Sequence, residues 1–216
     1  LDPDDDNDGV ADIDDAFPRD PTKSSDNDSN DDEKTALNGR VIDGYISGAL
    51  AFLDLNFDGE LSANEPRATS GVNGLFQFAL SDQELSCAAY VPTVVNVPVG
   101  AVDEELGVVD RAFNLVLPPR FNSLTSVSRL NVSPITSVVW EAFETELRSS
   151  LLNLNCATIL ANADEKANLA AVLERSIADV VSHYNISEAQ LFEDFIANNN
   201  DEIKAKAIKI VKGLKK

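Results

Sequence analysis

Oxygen-bearing side chains recur at short, regular intervals in two parts of the sequence. In the stretch 54–65, Asp, Asn and Asp stand at positions 1, 3 and 5, glycine at position 6, serine at position 9 and glutamate at position 12. This spacing is typical of a calcium-binding loop, in which alternating side chains surround a glycine turn and the last glutamate supplies two oxygens. A polar β-turn that has this spacing by chance is the alternative. The candidate ligands are Asp54, Asn56, Asp58, Glu60 and Glu65.

A second set of acids occupies the same positions near the N-terminus. Aspartate stands at positions 1, 3, 5, 9 and 12 of the stretch 4–15, with Gly9 at the turn and Val10 placed to offer its backbone carbonyl. Hard oxygen donors without histidine or cysteine favour Ca²⁺ over zinc or copper. The alternative is a solvated acidic linker. The candidate ligands are Asp4, Asp6, Asp8, Val10, Asp12 and Asp15.

The motif DPDDDNDGVADIDDAFPRDP contains this second stretch and resembles a thrombospondin type-3 repeat, in the bacterial form where Ala-Phe-Pro replaces the usual Cys-Pro. The resemblance covers about residues 2–33. It implies Asp-rich loops that wind around Ca²⁺ ions with almost no secondary structure, and it assigns Asp20 to the next site. A second repeat begins at Asp26 and Asp28, but it departs from the pattern because Asp31 stands where glycine is expected.

Charge is concentrated at the two ends of the chain. The 216 residues carry 37 acidic and 17 basic side chains, which gives a formal net charge of −20. Residues 1–33 are strongly acidic, and such a segment stays disordered unless a cation organises it. The overall acidity argues against nucleic acid and anionic lipid as partners. No apolar run approaches the ~18 residues that a transmembrane helix needs.

The elements that must position the loop 54–65 are strands. From residue 36 to about residue 120, apolar and polar residues alternate in short runs with glycine turns between them. In LFQFAL, for example, Phe76, Phe78 and Leu80 share one face. Such runs predict a small antiparallel β-sandwich over 36–120. Strands rather than two long helices beside the loop argue against a sensor-type EF-hand.

The segment GYISGALAFLDLNFDGELSANEPRATSGVNGLFQF is similar to the prealbumin-like β-sandwiches of bacterial surface proteins. These include the B-type domains of serine-aspartate repeat adhesins and the carboxypeptidase regulatory-like domains. Their hallmark is a strand, a DxNxDG…E loop and then TDxNGxFxF, which corresponds here to Ser70–Phe78. The likeness covers roughly residues 38–118. It implies a calcium-stiffened spacer or adhesin stalk.

Helical periodicity replaces alternation in the last part of the chain. Pro134 suits the first turn of one helix, and apolar stripes at three- to four-residue spacing predict others over about 164–184 and about 201–214. A short helix with a capping box precedes the last one. Four helices with short connections predict a small bundle over 130–216. Its lysine-rich end is either a solvated helix terminus or a surface that docks on an acidic neighbour, such as the Asp-rich segment of another copy.

The two cysteines, Cys87 and Cys156, lack any metal-ligand pattern around them. In an extracellular chain they predict one disulfide that ties the β region to the helical region. Free buried thiols are the alternative, because a sequence does not show whether two residues are close in space.

Catalytic motifs are scarce in this sequence. His183 is the single histidine, so a histidine-based dyad or triad lacks a partner. A phosphate-binding loop, a nucleophile elbow and an HExxH motif are all absent from the sequence. Paired carboxylates are the remaining option, but those with meaningful spacing are already assigned to calcium. The sequence therefore predicts that the chain is not an enzyme.

Together these features predict a multidomain α+β chain with an Asp-rich calcium repeat over 1–35, the β-sandwich over 36–120 and the helical domain over 130–216. The expected function is a non-catalytic, calcium-stabilised structural or adhesion segment of a bacterial surface or matrix protein, secreted or at the cell surface. Its expected partners are calcium ions and a protein, or a second copy, bound through the helical domain. The alternatives are a subunit of a self-assembling extracellular filament and an accessory binding module of a secreted polysaccharide-active enzyme. Because methionine is absent, Leu1 is not expected to be a translation start.

Overall fold

A computed structural model describes residues 3–7, 9–14, 18–19, 34–122, 124–125, 128–147 and 154–215. The chain divides into two compact units, Leu1–Lys34 and Thr35–Lys216. The described residues of the first unit form turns and bends, without a helix or a strand among them. All the regular secondary structure discussed below therefore belongs to the second unit.

Strands in the first half of the second unit form three small sheets. Their orders are β10-β1-β5, β2-β7-β8 and β4-β3-β6-β9. Among the described strands, β1 and β10 pair in parallel and every other pairing is antiparallel. The strands are β1 (Thr35–Val41), β2 (Ile46–Ser47), β3 (Leu50–Leu53), β4 (Arg67–Thr69), β5 (Leu75–Leu80), β6 (Thr93–Val97), β7 (Val102–Asp103), β8 (Gly107–Val108), β9 (Phe113–Leu117) and β10 (Arg129–Val132).

Burial along the strands explains why these residues adopt extended structure. In β5, burial alternates strictly, and the face formed by Phe76, Phe78 and Leu80 is the buried one, as predicted. The central strand β3 is covered on both faces, since Ala51, Phe52 and Leu53 are all fully buried. The buried strand β3 therefore provides a fixed support for the loop that follows it.

Six helices are described, and most of them follow the β region. They are α1 (Asp82–Ala88), α2 (Pro134–Leu147), α3 (Cys156–Ala161), α4 (Ala163–Tyr184), α5 (Glu188–Phe192) and α6 (Asp201–Leu214), with one 3₁₀ turn at Val72–Gly74. The predicted helices α4 and α6 are confirmed within one residue at both ends. Helix α2 begins at Pro134 as predicted, and α5 is the short helix that was predicted to start with a capping box. Helices α1 and α3 were not predicted from the sequence, although a capping box formed by Ser81 and Glu84 marks the start of α1.

One hydrophobic core runs from the sheets into the helical region. It includes Leu115 of β9, Val139 and Phe143 of α2, and Leu173 of α4. The hydroxyl of Ser137 in α2 also accepts a hydrogen bond from the N–H of Val116 in β9 at 2.9 Å. The β region and the helical region are therefore packed as a single unit from Thr35 onward.

Polar contacts reinforce the packing between β1 and the segment after α5. The Arg40 guanidinium lies 2.5 Å from a carboxylate oxygen of Asp194, and the Tyr45 hydroxyl donates to the same carboxylate at 2.9 Å. Both side chains of the ion pair are more than four-fifths buried. Charge-assisted hydrogen bonds of this kind are stronger than neutral ones. The contact joins residues that are 154 positions apart in sequence.

Candidate metal centre

The loop 54–65 connects β3 to β4, and backbone hydrogen bonds hold both of its ends. The N–H of Leu53 donates to the carbonyl of Pro66 at 3.0 Å, and the N–H of Asp54 donates to the carbonyl of Pro92 at 3.1 Å. Asp54 is 0% exposed and Glu65 is 3% exposed. The first and the last of the predicted ligands are therefore buried at the base of the loop.

Asp54 organises the loop by accepting two backbone hydrogen bonds. Its Oδ1 accepts from the N–H of Asp58 at 3.2 Å, and its Oδ2 accepts from the N–H of Gly59 at 2.9 Å. Gly59 has a φ of 74°, in the left-handed region that glycine adopts at little cost. The chain consequently folds back over the carboxylate that opens the loop.

Glu65 closes the loop from the opposite end. Its Oε1 accepts from the N–H of Leu55 at 2.8 Å, and its Oε2 accepts from the N–H of Ser62 at 2.8 Å. A carboxylate oxygen has two lone pairs, so each oxygen retains the capacity for a second contact. The glutamate at position 12 thus spans the loop from its second residue to its ninth.

The other predicted ligands of this loop lie on its exposed side. The Asn56 amide donates to Oδ2 of Asp58 at 2.7 Å, and Oδ1 of Asp58 accepts from the N–H of Glu60 at 2.7 Å. All three residues are exposed. Within the loop, Phe57 is buried and its ring lies 6.3 Å from the indole of Trp140 in α2. The loop is therefore linked to the helical region by this aromatic contact and by the N–H of Cys156 in α3, which donates to the carbonyl of Leu55 at 2.9 Å.

Negative charge accumulates at the base of the loop. Burial raises the pKa of Asp54 to about 6, the N–H of Gly59 opposes this rise, and the nearby carboxylates of Glu65 and Asp58 add to it. A raised carboxylate pKa means that the folded chain is destabilised when the group ionises. A bound cation would remove this penalty at neutral pH.

The donor set of the loop suits calcium, because it consists of carboxylate, amide and carbonyl oxygens. In this structure the carboxylates accept backbone N–H groups. Across the described ranges, no three histidine, cysteine, aspartate or glutamate side chains converge as a metal-binding group. The fit to Ca²⁺ therefore rests on donor type and on the excess negative charge at Asp54 and Glu65. The ion would supply charge neutralisation and a link between the two ends of the loop.

The first unit repeats one feature of this loop. Oδ2 of Asp4 accepts from the N–H of Gly9 at 3.2 Å, which joins positions 1 and 6 of the motif as in the loop 54–65. Gly9 has a φ of 99°. Asp12 donates its N–H to the carbonyl of Pro3 at 2.9 Å, and its Oδ1 accepts from the N–H of Asp5 at 2.8 Å. The described part of the first motif is therefore a carboxylate-centred turn.

The structure describes some of the predicted ligands, and others lie outside the described residues. Asp4, Asp6, Val10 and Asp12 are described and lie in the first unit. The five ligands of the loop 54–65 are all described in the second unit. The remaining candidates lie outside the described residues: Asp8, Asp15, Asp20, Asp26 and Asp28.

Two further buried acids were not predicted from the sequence. Asp43 and Asp103 are each 3% exposed, although neither belongs to a recognised motif. The signal available in the sequence was the position of Asp43 within VIDGYI, a run whose apolar residues are typical of a buried segment. Such a position alone does not show that the two acids meet.

A cavity of about 670 Å³ lies among α2, α4 and α6, and His183 is part of its lining. The imidazole of His183 packs edge-on against Tyr184, with the ring centroids 4.9 Å apart. Lys206, which also lines the cavity, is ion-paired to Glu202 one helical turn earlier. His183 and Lys206 thus each contact a neighbour on their own helix.

A disulfide joins Cys87 at the end of α1 to Cys156 at the start of α3. Disulfides of this kind are typical of proteins that mature outside the cytoplasm. Among the described residues, no helix combines the length and the apolar character that crossing a membrane requires. No family model matches the chain, and the comparisons with curated proteins and with solved structures found no similar protein.

Proposed function

We propose that this chain is a non-catalytic, calcium-stabilised structural or adhesion segment of a bacterial surface or matrix protein. The observation that carries the proposal is the burial of Asp54 and Glu65 at the two ends of one loop. Two carboxylates that share a buried loop repel each other at neutral pH. A divalent cation converts this repulsion into attraction, so the folded state depends on the ion.

Calcium at this loop would stiffen the β region and its contact with the helices. The loop joins β3 to β4, and both of its ends are already hydrogen-bonded to neighbouring backbone. Phe57 extends the effect to α2 through its contact with Trp140. A cation held by Asp54 and Glu65 would therefore restrain a strand connection and a helix contact together. This is the behaviour expected of a spacer or stalk in a prealbumin-like β-sandwich.

The N-terminal unit is proposed to act in the same way. Its acids follow the thrombospondin type-3 pattern, and the turn at Asp4 and Gly9 has the hydrogen bond of positions 1 and 6 that the loop 54–65 also makes. Bound Ca²⁺ would neutralise this segment and allow it to become a semi-rigid extension. An extracellular site of action agrees with the disulfide and with the millimolar calcium that such modules encounter.

The proposal is tested by calorimetric calcium titration of the full chain, together with thermal unfolding in EGTA and in excess CaCl₂. Asp58→Ala is expected to remove one bound ion and to lower the calcium-dependent rise in melting temperature. Asp110→Asn is the matched control, since Asp110 is an exposed acid of the same β region outside both motifs. A chain that keeps the same melting temperature in both buffers, with no heat of calcium binding, would contradict the proposed function.

A further inference from the structure

Asp43 and Asp103 come together at the junction of two turns in the β region. Asp43 lies between β1 and β2, and Asp103 ends β7, which pairs with β2 through Ile46 and Asp103. Gly44 lies directly against the second acid, because a Cβ at Gly44 would stand 2.0 Å from Oδ1 of Asp103. The absence of a side chain at Gly44 therefore allows this carboxylate to approach the backbone beside Asp43.

Three of the four carboxylate oxygens at this junction have no hydrogen-bond partner. Oδ1 of Asp103 accepts from the N–H groups of Glu105 and Leu106, both at 2.9 Å. Oδ2 of Asp103 and both oxygens of Asp43 are buried without a partner. Buried polar groups are almost always hydrogen-bonded, and leaving a charged one unsatisfied costs several kcal/mol. The two partly unsatisfied carboxylates, Asp43 and Asp103, therefore indicate a bound ligand that is not part of the protein chain.

The charges around Asp43 do not compensate for this burial. The neighbouring charged groups are Asp103, Lys215 and Glu105, and burial followed by the carboxylate of Asp103 raises the pKa of Asp43 to about 7. Lys215 opposes the rise, but its ammonium lies 4.8 Å above the ring of Phe113. Glu105 is bound to Lys204 of α6 at 2.6 Å. The junction thus retains an excess of negative charge.

We propose that Asp43 and Asp103 bind a divalent cation, Ca²⁺ by their donor chemistry, where the turn between β1 and β2 meets the hairpin of β7 and β8. The three unpartnered oxygens are hard donors, which calcium prefers. No third acidic, histidine or cysteine side chain joins them within the described part of the chain. Backbone carbonyls and water complete the shell. Ca²⁺ accepts such irregular sets, whereas Mg²⁺ demands near-octahedral geometry.

This site is distinct from the loop 54–65 and from the acidic N-terminal unit. The pairing of β2 with β7 and the pair of Lys204 with Glu105 place the junction between a short sheet and α6. A cation there would hold the β7–β8 hairpin against the first turn of the β region. The structure therefore predicts one more bound ion than the two sequence motifs account for.

Calcium titration calorimetry of single variants at about pH 8 tests this site. Asp43→Asn and Asp103→Asn are each expected to bind one ion fewer than the wild type, while Asp110→Asn binds the full number. The double variant Asp43→Asn with Asp58→Ala is expected to bind two fewer, which separates this site from the loop. If either asparagine variant folds, by circular dichroism, and still binds the wild-type number of ions, the proposal is overturned.

A measurement on the wild-type protein covers the case in which the variants do not fold. The carboxyl carbon of Asp43, followed by nuclear magnetic resonance in EGTA, is expected to titrate near neutral pH. Saturating CaCl₂ is expected to shift its resonance and to abolish this titration. If Asp43 titrates unchanged in saturating calcium, the two acids share a proton instead of a metal ion, and the cation site is refuted. A loss of calcium binding at the loop 54–65 alone would not change the effect of calcium on the titration of Asp43.

Discussion

Asp54→Asn is expected to change stability in opposite directions with and without calcium. The two side chains have nearly the same shape, so the substitution removes charge with little change in volume. In the calcium-free fold, burial is the main cause that raises the pKa of Asp54 from 3.8 to about 6. Keeping this group ionised at about pH 8 therefore costs about 3 kcal/mol, since one pKa unit corresponds to about 1.4 kcal/mol.

The asparagine recovers only part of this energy. Its single acceptor oxygen does not replace both carboxylate oxygens, so either the N–H of Gly59 loses its partner or the N–H of Asp58 keeps only its 3.3 Å bond to Asn56; we take this loss as about 1–2 kcal/mol. The calcium-free variant is thus expected to be more stable than the wild type by roughly 1–2 kcal/mol. With calcium at a thousand times Kd, the wild type gains about 4 kcal/mol from the bound ion, which the variant loses. The wild type is then the more stable protein by about 2–3 kcal/mol.

Urea denaturation in EGTA and in excess CaCl₂ measures this reversal. Fluorescence of Trp140 is a suitable signal, because the indole packs against Phe57 of the loop. Asp110→Asn serves as the control and is expected to leave both midpoints within the error of the wild type. If Asp54→Asn lowers the midpoint equally in both buffers, the aspartate stabilises the loop only through hydrogen bonds, and the reasoning from buried charge is refuted.

Three further predictions concern the second unit. As pH rises from about 4 to about 7, the calcium-free chain is expected to lose stability, because the pKa of Asp43 is raised in the folded state. The midpoint of urea unfolding should therefore fall across this pH range in EGTA and change less in excess calcium. Replacing Cys87 and Cys156 with serine should cost about 4 kcal/mol by loop-closure entropy, and an unchanged urea midpoint would contradict this. Arg40→Met should cost about 3 kcal/mol because it leaves Asp194 buried without its cation; the double variant with Asp194→Leu should recover most of this loss.

Much of the secondary structure was predictable from local patterns. The alternation in β5 and the helical stripes of α4 and α6 follow directly from the periods of the two structures. The short helices α1 and α3 were not predicted, although each begins with a capping box. The five-residue helix α5 was predicted, because its capping box of Ser187 and Gln190 precedes an apolar run.

The candidate loop was predictable for a similar reason. All of its donors lie within twelve consecutive residues, so their spacing alone places them around one turn. The structure adds the burial of Asp54 and Glu65 and the contact between Phe57 and Trp140. These additions depend on how the ends of β3 and β4 are covered, which no local pattern contains.

Sequence by itself determined the features that depend on neighbours along the chain: the motif around Gly59, the turn between Asp4 and Gly9, and the order of strands before helices. Tertiary structure alone decided that Asp43 meets Asp103 and that one core joins the sheets to the helices. The physical reason is distance along the chain. Residues separated by tens of positions come together only when burial of apolar surface fixes the packing of whole elements, and burial then sets the charge state of the acids enclosed with them.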